Sequence, residues 1–361
     1  MTQTILSVAY PLTEVGPDAV GGSEQILTLL DRTITKAGHR SLVIAAEGSK
    51  VHGTLIPAPR NKGILDNAVR DWGRRVHRQL IKETLAKYQV DLVHMHSLDF
   101  HCYLPPERVP VLATLHLPPT WYPDSIFKLN RKGFHMNCVS RSQNQTCPWS
   151  RNLLPPVSNG VDLERLGGNL RKRNFALAMG RICPEKGYHF ALDAAREAGI
   201  DMLLAGEVFP YAEHLDYFNR EITPRLDRER RYVGPLGFVK KRRLLSQAKC
   251  LIIPSTVAET SSLVAMEALA CGTPVVAFRS GALPEIIEHG KTGLVVSDVG
   301  ELANALRNVE SIDPQTCREA ARARFSCQRM GARYLELYSQ LTHKEVPVPM
   351  QLPLRWGLTS A

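Results

Sequence analysis

The sequence of 361 residues contains no long apolar run. Its apolar stretches, such as Cys250-Leu251-Ile252-Ile253, fall far short of the ~18–20 residues that a membrane-crossing helix needs. It also has no C-x-x-C spacing. Its eight cysteines are dispersed, and Cys250 and Cys271 sit in apolar segments. Free reduced thiols are therefore expected rather than a disulfide or zinc framework. The opening stretch, MTQTILSVAYPLTEVG, has no cationic leader and too brief an apolar segment for a secretory signal, so a cytoplasmic protein is expected. No D-x-D is present, so no metal site is evident, and no G-x-G-x-x-G follows the first apolar run, which argues against a dinucleotide-dependent dehydrogenase.

What is present is an ordinary globular composition, 44% apolar and 22% charged, which excludes a disordered or fibrous chain. The net charge is +10, with a pI near 9.3. That balance fits nucleic acid, an anionic membrane surface or a phosphorylated substrate, and composition does not choose among them. Strand and helix patterns alternate. Ile5 to Tyr10 reads as a buried strand, and Ser23 to Ala37 as a helix with Ile26, Leu29, Leu30 and Ile34 at helical spacing. Strands follow at Ser41 to Ala46, Asp91 to Met95, Val109 to Leu115 and Met136 to Ser140. Beyond the basic, glycine-containing stretch 163–173, read as a linker, the alternation begins afresh. Phe175 to Met179 reads as a strand and Lys186 to Ala198 as a helix. Further strands are read at Met202 to Ala205, Leu251 to Pro254, Pro274 to Phe278 and Gly293 to Val296. Two doubly wound α/β units in series are expected, with a cleft between them.

Two segments carry chemistry. Gly180-Arg181-Ile182-Cys183-Pro184-Glu185-Lys186-Gly187 joins a strand to a helix, so two cations five residues apart can converge on one anion. The second, Pro254 to Glu267, also follows a buried strand. Ser261 and Ser262 occupy helix-capping positions, where free amides bind phosphate oxygens. Glu267 stands in an otherwise apolar helix, where a carboxylate is costly without a partner, and vicinal hydroxyls are an apt one. Taken singly, each of these residues also has a plain reading as a solvated or ion-paired side chain.

Together the segments resemble a known family. G-R-x-x-x-E-K-G, followed by P-S-x(3)-E-x(7)-E-A-x-A-C-G-x-P-V-V-A, is the pattern of the retaining GT-B glycosyltransferases of family four (glycosyl transferases group 1). Gly21-Gly22-Ser23-Glu24, Asp91 to His96, Thr114-Leu115-His116, Asn159 to Asp162, Gly281 to Ile287 and Gly290 to Gly293 agree, so the resemblance spans roughly residues 4–340. It implies an α/β GT-B fold of two Rossmann-like domains: an acceptor-side domain at 1–165, a donor-binding domain at 166–326, and a C-terminal helix at 327–361 that crosses back and ends in a Pro-rich tail. It implies that Arg181 and Lys186 hold a donor diphosphate and that Glu259 binds the transferred sugar. Glu267 would bind the ribose, and His116 would face the sugar. Gly21, Gly22, Leu236, Lys241, Ser261, Ser262 and Leu263 are implied as donor contacts. The expected activity is retaining, metal-independent transfer of a hexosyl unit from a nucleotide-diphosphate sugar, UDP favoured, to a hydroxyl of a glycan, glycolipid or small molecule. No cofactor and no metal are expected. One departure stands out: Thr260-Ser261-Ser262 occupies the place of the family's common x-F-G, which puts the sugar and acceptor contacts in question.

On the acceptor side, His96 is a weaker neighbour of His116, and each could instead be a satisfied core imidazole. Asp99 reads as an acceptor contact or a helix cap. Trp121 and Tyr122 either stack on a sugar ring or cover apolar surface. Arg70, Arg74, Arg75, Arg78 and Lys82 share a helix with Val69, Trp72, Val76 and Leu80, so this basic amphipathic element either contacts the anionic inner face of a membrane or is simply solvated. The rival functions are a nucleotide-sugar 2-epimerase of the same fold, for which no acid/base pair is identifiable, and a basic nucleic-acid binder. Without a recognisable binding module, no nucleic-acid partner is expected.

Overall fold

The computed structural model describes residues 2–19, 21–60, 66–168 and 170–342, so the expected Pro-rich tail lies outside the described residues. Two parallel sheets organise the chain. The first contains β1 (Thr4–Val8), β2 (Arg40–Ala46), β3 (Thr54–Ala58), β4 (Leu92–Met95), β5 (Val111–Leu115), β6 (Phe134–Cys138) and β7 (Leu153–Leu154), in the order β3-β2-β1-β4-β5-β6-β7. The second contains β8 (Phe175–Met179), β9 (Asp201–Ala205), β10 (Arg230–Tyr232), β11 (Cys250–Ile253), β12 (Val275–Phe278) and β13 (Gly293–Val296), in the order β10-β9-β8-β11-β12-β13. Central strands such as β4, β5 and β11 are buried along their whole length, as a parallel sheet covered on both faces requires.

The helices are α1 (Gly22–Lys36), α2 (Asn67–Lys87), α3 (Arg141–Thr146), α4 (Leu163–Leu166), α5 (Tyr188–Ala198), α6 (Ala212–Tyr217), α7 (Phe238–Gln247), α8 (Leu263–Ala270), α9 (Leu283–Ile286), α10 (Val299–Asn308), α11 (Pro314–Arg324) and α12 (Cys327–Thr342). Three expectations need correction. The stretch read as a linker contains α4, nucleated because the Asp162 carboxylate accepts the Arg165 amide. Lys186 belongs to a short 3-10 turn, Pro184–Lys186, and not to the helix after it. The two are separated by Gly187, whose φ of 61° breaks the helix and whose missing side chain would lie 2.3 Å from the Pro254 carbonyl oxygen. Ser262 alone is the cap of α8, accepting the Ala265 amide, and Ser261 precedes it.

In each sheet the strand order reverses once, between β1 and β4 and between β8 and β11. Ligands of open parallel sheets bind at such reversals, beyond the carboxyl ends of the strands. The chain passes from the first sheet to the second near Val161 and returns beside that point. The Val161 amide donates to the Phe325 carbonyl at 2.8 Å, and the Cys327 amide donates to the Val161 carbonyl at 3.0 Å. From there α12 packs on α1 and buries Tyr334 and Tyr338 against the first sheet. The Tyr338 hydroxyl lies 2.8 Å from His94 Nδ1, and the Tyr334 hydroxyl accepts from Asn137 at 3.1 Å. Each such burial contributes roughly 1.5–3 kcal/mol to keeping the helix docked. All eight cysteines are free thiols.

Candidate functional site

The loops that carry the sequence-predicted residues leave the strands next to the two reversals. After β8, the loop from Gly180 to Gly187 docks on the loop after β11: the Thr256 amide donates to the Glu185 carbonyl at 2.9 Å. This docking brings Lys186 Nζ to 2.6 Å from Glu259 Oε1, a carboxylate oxygen that also accepts the Ser255 hydroxyl. Glu259 is held from behind by Gly281. A side chain at Gly281 would lie 2.2 Å from the Glu259 carbonyl oxygen, and its φ of 50° favours glycine. Arg181 is exposed on the same loop and makes no ion pair among the described residues.

Within α8, Glu267 is buried, and the partner that its burial demands is Lys241, whose Nζ lies 2.6 Å from Glu267 Oε1. Lys241 comes from α7, just past the loop carrying Leu236, and lies over the Phe238 ring. Across the cleft, α1 begins at Gly22, with Gly21 as a cap that offers no side-chain acceptor. A side chain at Gly22 would lie 3.6 Å from Leu263 Cδ1, so the amino ends of α1 and α8 face one another. Gly21 leaves the first amides of α1 without a side-chain acceptor and Ser262 takes only the Ala265 amide of α8, so both helices turn positive ends toward this junction, which suits it to an anion.

The first sheet contributes a chain of imidazoles. His94 is fully buried and satisfied, bonding Tyr338 and, at 2.8 Å, Thr114. His96 Nδ1 lies 3.1 Å from His116 Nε2, while His96 Nε2 is buried without a partner among the described residues. Burial pushes the imidazolium of His116 down to about 4. Burial, reinforced by the neighbouring His94 and His116, holds His96 well below the ordinary histidine range. Both rings are thus neutral near pH 7 and able to donate or accept a hydrogen bond without carrying charge. The Thr260 hydroxyl donates to the His116 carbonyl at 2.8 Å, joining the two halves at the very position where the sequence departs from the common pattern.

The remaining acceptor-side expectations fare differently. The Asp99 carboxylate is buried and already engaged, accepting from Tyr103 at 2.8 Å and Arg74 at 2.9 Å, and it makes no helix-cap hydrogen bond. Tyr122 is 4% exposed, packs in the core against Phe100, and accepts the Leu117 amide through its hydroxyl; it covers apolar surface and offers no ring to a sugar. Trp121 is 48% exposed and remains available. On α2, Arg75, Arg78 and Lys82 are exposed, whereas Arg74 is tied to Asp71 and Asp99.

Sequence reasoning gave Glu285 no role. Its carboxylate accepts the Arg141 amide at 3.1 Å and the Ser142 amide, clamping the start of α3. It lines an inter-domain cavity of about 360 Å³ together with Ser158, Ser261, Arg324 and Arg329. The Ser261 hydroxyl in that wall is buried and unpartnered among the described residues. The only available signal was a carboxylate opening a short helix after Pro284. The sequence also gave no sign that Cys183, Glu185 and His214 converge, with donor atoms all within 4.8 Å of one another.

Residues 173–311, which contain the two cation–carboxylate pairs, match the family described as glycosyl transferases group 1. The chain is 33% identical over 178 residues to a glycogen synthase of Mycobacterium tuberculosis, covering 46% of this chain but 42% of that protein, so it spans less than half the length of that curated relative. It is 25% identical over 370 residues to a phosphatidyl-myo-inositol mannosyltransferase of Mycolicibacterium smegmatis, covering 92% of this chain and 93% of that one. The solved structure of Anabaena HepE in complex with UDP-glucose superposes with a TM-score of 0.72 at 19% identity, over 93% of this chain and 99% of that one. The architecture is therefore GT-B: two parallel-sheet α/β domains facing a cleft.

Proposed function

We propose that this chain, built around a glycosyl transferases group 1 domain, transfers a hexosyl unit from a nucleotide-diphosphate sugar to a hydroxyl acceptor with retention of configuration and without a catalytic metal ion. The observation that carries the reading is the pair of matched contacts, Lys186 with Glu259 and Lys241 with Glu267, set beside the facing amino ends of α1 and α8. The two cation–carboxylate pairs support this reading, because a donor diphosphate calls for cations and the hydroxyls of ribose and sugar for carboxylates. Arg181 and Lys186 meet the charge that grows on the leaving diphosphate, a task that falls to a divalent ion in other enzymes. Glu267 accepts from the ribose hydroxyls and Glu259 from those of the sugar. The neutral His116 bonds the sugar from the opposite wall. In the transfer step the bond from the anomeric carbon to the diphosphate oxygen breaks, a bond to the acceptor oxygen forms on the same face, and the acceptor proton passes to a donor phosphate oxygen.

UDP-sugars are the favoured donors, supported by the likeness to a protein crystallised with UDP-glucose. A lipid-linked or glycolipid acceptor is supported by the mannosyltransferase relative and by the exposed Arg75, Arg78 and Lys82 on α2, which would rest on an anionic membrane from the cytoplasmic side. Among the described residues no helix is long and apolar enough to cross a membrane. A thermal-shift panel of UDP-, GDP- and ADP-sugars, followed by product analysis with the best stabiliser, tests the proposal. A concentration-dependent rise in Tm with one nucleotide class and a glycosylated product are expected. No shift with any of them would overturn it.

A further inference from the structure

We propose that Cys183, Glu185 and His214 form a binding site for one divalent transition-metal ion of the zinc class, set between the loop after β8 and helix α6. Three donor atoms of different kinds, a thiol sulfur, a carboxylate oxygen and an imidazole nitrogen, lie within 4.8 Å of one another. Two of these residues carry buried atoms with no hydrogen-bond partner among the described residues: Glu185 Oε2 and His214 Nδ1. A buried polar atom left without a partner is costly, because it gives up its bonds to water and gains none. The Cys183 thiol contacts the Arg181 carbonyl at 3.6 Å; once deprotonated, its sulfur could join Glu185 and His214 around one shared partner that takes electron pairs from all three.

The donor set selects the ion. Sulfur, nitrogen and oxygen together suit zinc and its tetrahedral relatives, whereas magnesium and calcium take oxygen alone. Zinc bonded at its usual lengths spaces nitrogen, oxygen and sulfur ligands about 3.3–3.6 Å apart, a spacing that donor atoms within 4.8 Å of one another can reach by side-chain rotation. A thiolate and a carboxylate balance the ion's charge, so it does not repel Arg181 close by. The Tyr211 ring meets the His214 ring edge-on at 5.1 Å, and α6 continues directly into a π-helical turn, Phe218–Ile222, an irregularity found often at functional sites. The ion would tie α6 to the segment that positions Arg181 and Lys186. It is a structural tether and takes no part in the transfer step, so the inference stands apart from the proposed activity.

The test uses the full chain, stripped with a chelator and titrated with cobalt(II) as a spectroscopic stand-in and with zinc by calorimetry. One ion per chain is expected, with tetrahedral d–d bands and a thiolate-to-cobalt charge-transfer band. C183S should abolish that band while C271S keeps it. E185Q and H214A should each weaken zinc binding at least tenfold. E185Q changes a half-buried group by one atom, so its result holds even if C183S fails to fold. Absence of stoichiometric uptake, a charge-transfer band that persists in C183S, or undiminished zinc affinity in E185Q would each overturn the proposal.

Discussion

Lys186 Nζ lies 2.6 Å from Glu259 Oε1, so the cation and the carboxylate assigned to different parts of a donor are bonded to each other. A diphosphate that draws on Lys186 must compete with Glu259 for it. Glu259→Gln removes that competition and the carboxylate's bonds to the sugar together. Nucleoside diphosphate should bind as tightly as before or more so in calorimetry, while transfer falls at least ~10²-fold, the scale of losing one well-placed polar contact. Unchanged transfer would refute the assignment.

Lys186→Ala should act on both steps. Loss of one cation from the diphosphate weakens nucleoside diphosphate binding about tenfold, equivalent to ~1.4 kcal/mol, and lowers turnover by ~10²–10³. Full activity with intact binding is the result the diphosphate reading cannot survive.

Glu267 is predicted to read the ribose. Wild-type protein should prefer UDP over 2′-deoxy-UDP, and Glu267→Gln should bind both alike, at about a tenth of the wild-type affinity for UDP. A preference that persists in the variant would assign ribose recognition elsewhere and leave Glu267 as the partner of Lys241 alone.

Thr260→Val deletes the hydroxyl that reaches the His116 carbonyl across the cleft. One net hydrogen bond is worth about 1 kcal/mol. A roughly fivefold fall in kcat/KM is expected, with nucleotide affinity unchanged, because the bond sets the relation of the two walls and not the donor contacts. Equal loss in nucleotide affinity would contradict this.

His77 predicts a pH dependence of stability. Burial pushes it down to about 4, against about 6.5 when unfolded. Between those values the unfolded chain binds the extra proton, so stability is full above pH 6.5 and declines as pH falls toward 4. The decline from this residue amounts to about 3 kcal/mol. His77→Leu should flatten that part of the profile in denaturant titrations at pH 4.5 and 7. A parallel profile would place the acid sensitivity elsewhere.

Most of the fold was legible because buried central strands are continuous apolar runs: Phe175 to Met179 occupies the residues the pattern marks. The three strands that escaped, β3, β7 and β10, are all sheet edges. β3 contains Pro57, β10 reads Arg230-Arg231-Tyr232, and β7 spans only Leu153–Leu154. Edge strands are kept short, charged or proline-bearing to discourage further pairing, which removes the very signal that periodicity relies on. That Glu267 must have a partner was legible, because a carboxylate in an apolar helix demands one; that the partner in the structure is Lys241, from another helix, was not. The fate of Tyr122 was not, because an aromatic after a strand reads alike whether it turns to the cleft or to the core. Contacts between loops distant in sequence, such as Glu285 with the start of α3 or Cys183 with His214, leave no local trace at all.

The neighbouring crossovers at Val161 and at Phe325 to Cys327 determine what can be exchanged between proteins of this architecture. A graft that replaced everything after residue 166 would also replace α12, and with it Tyr334 and Tyr338, which bond His94, Thr114 and Asn137 of the first sheet. The modular unit is therefore an insertion, bounded by two junctions that meet in space, and not a C-terminal half. Chimeras built to change the donor while keeping the acceptor should keep residues 327–342 from the parent that supplies the first sheet.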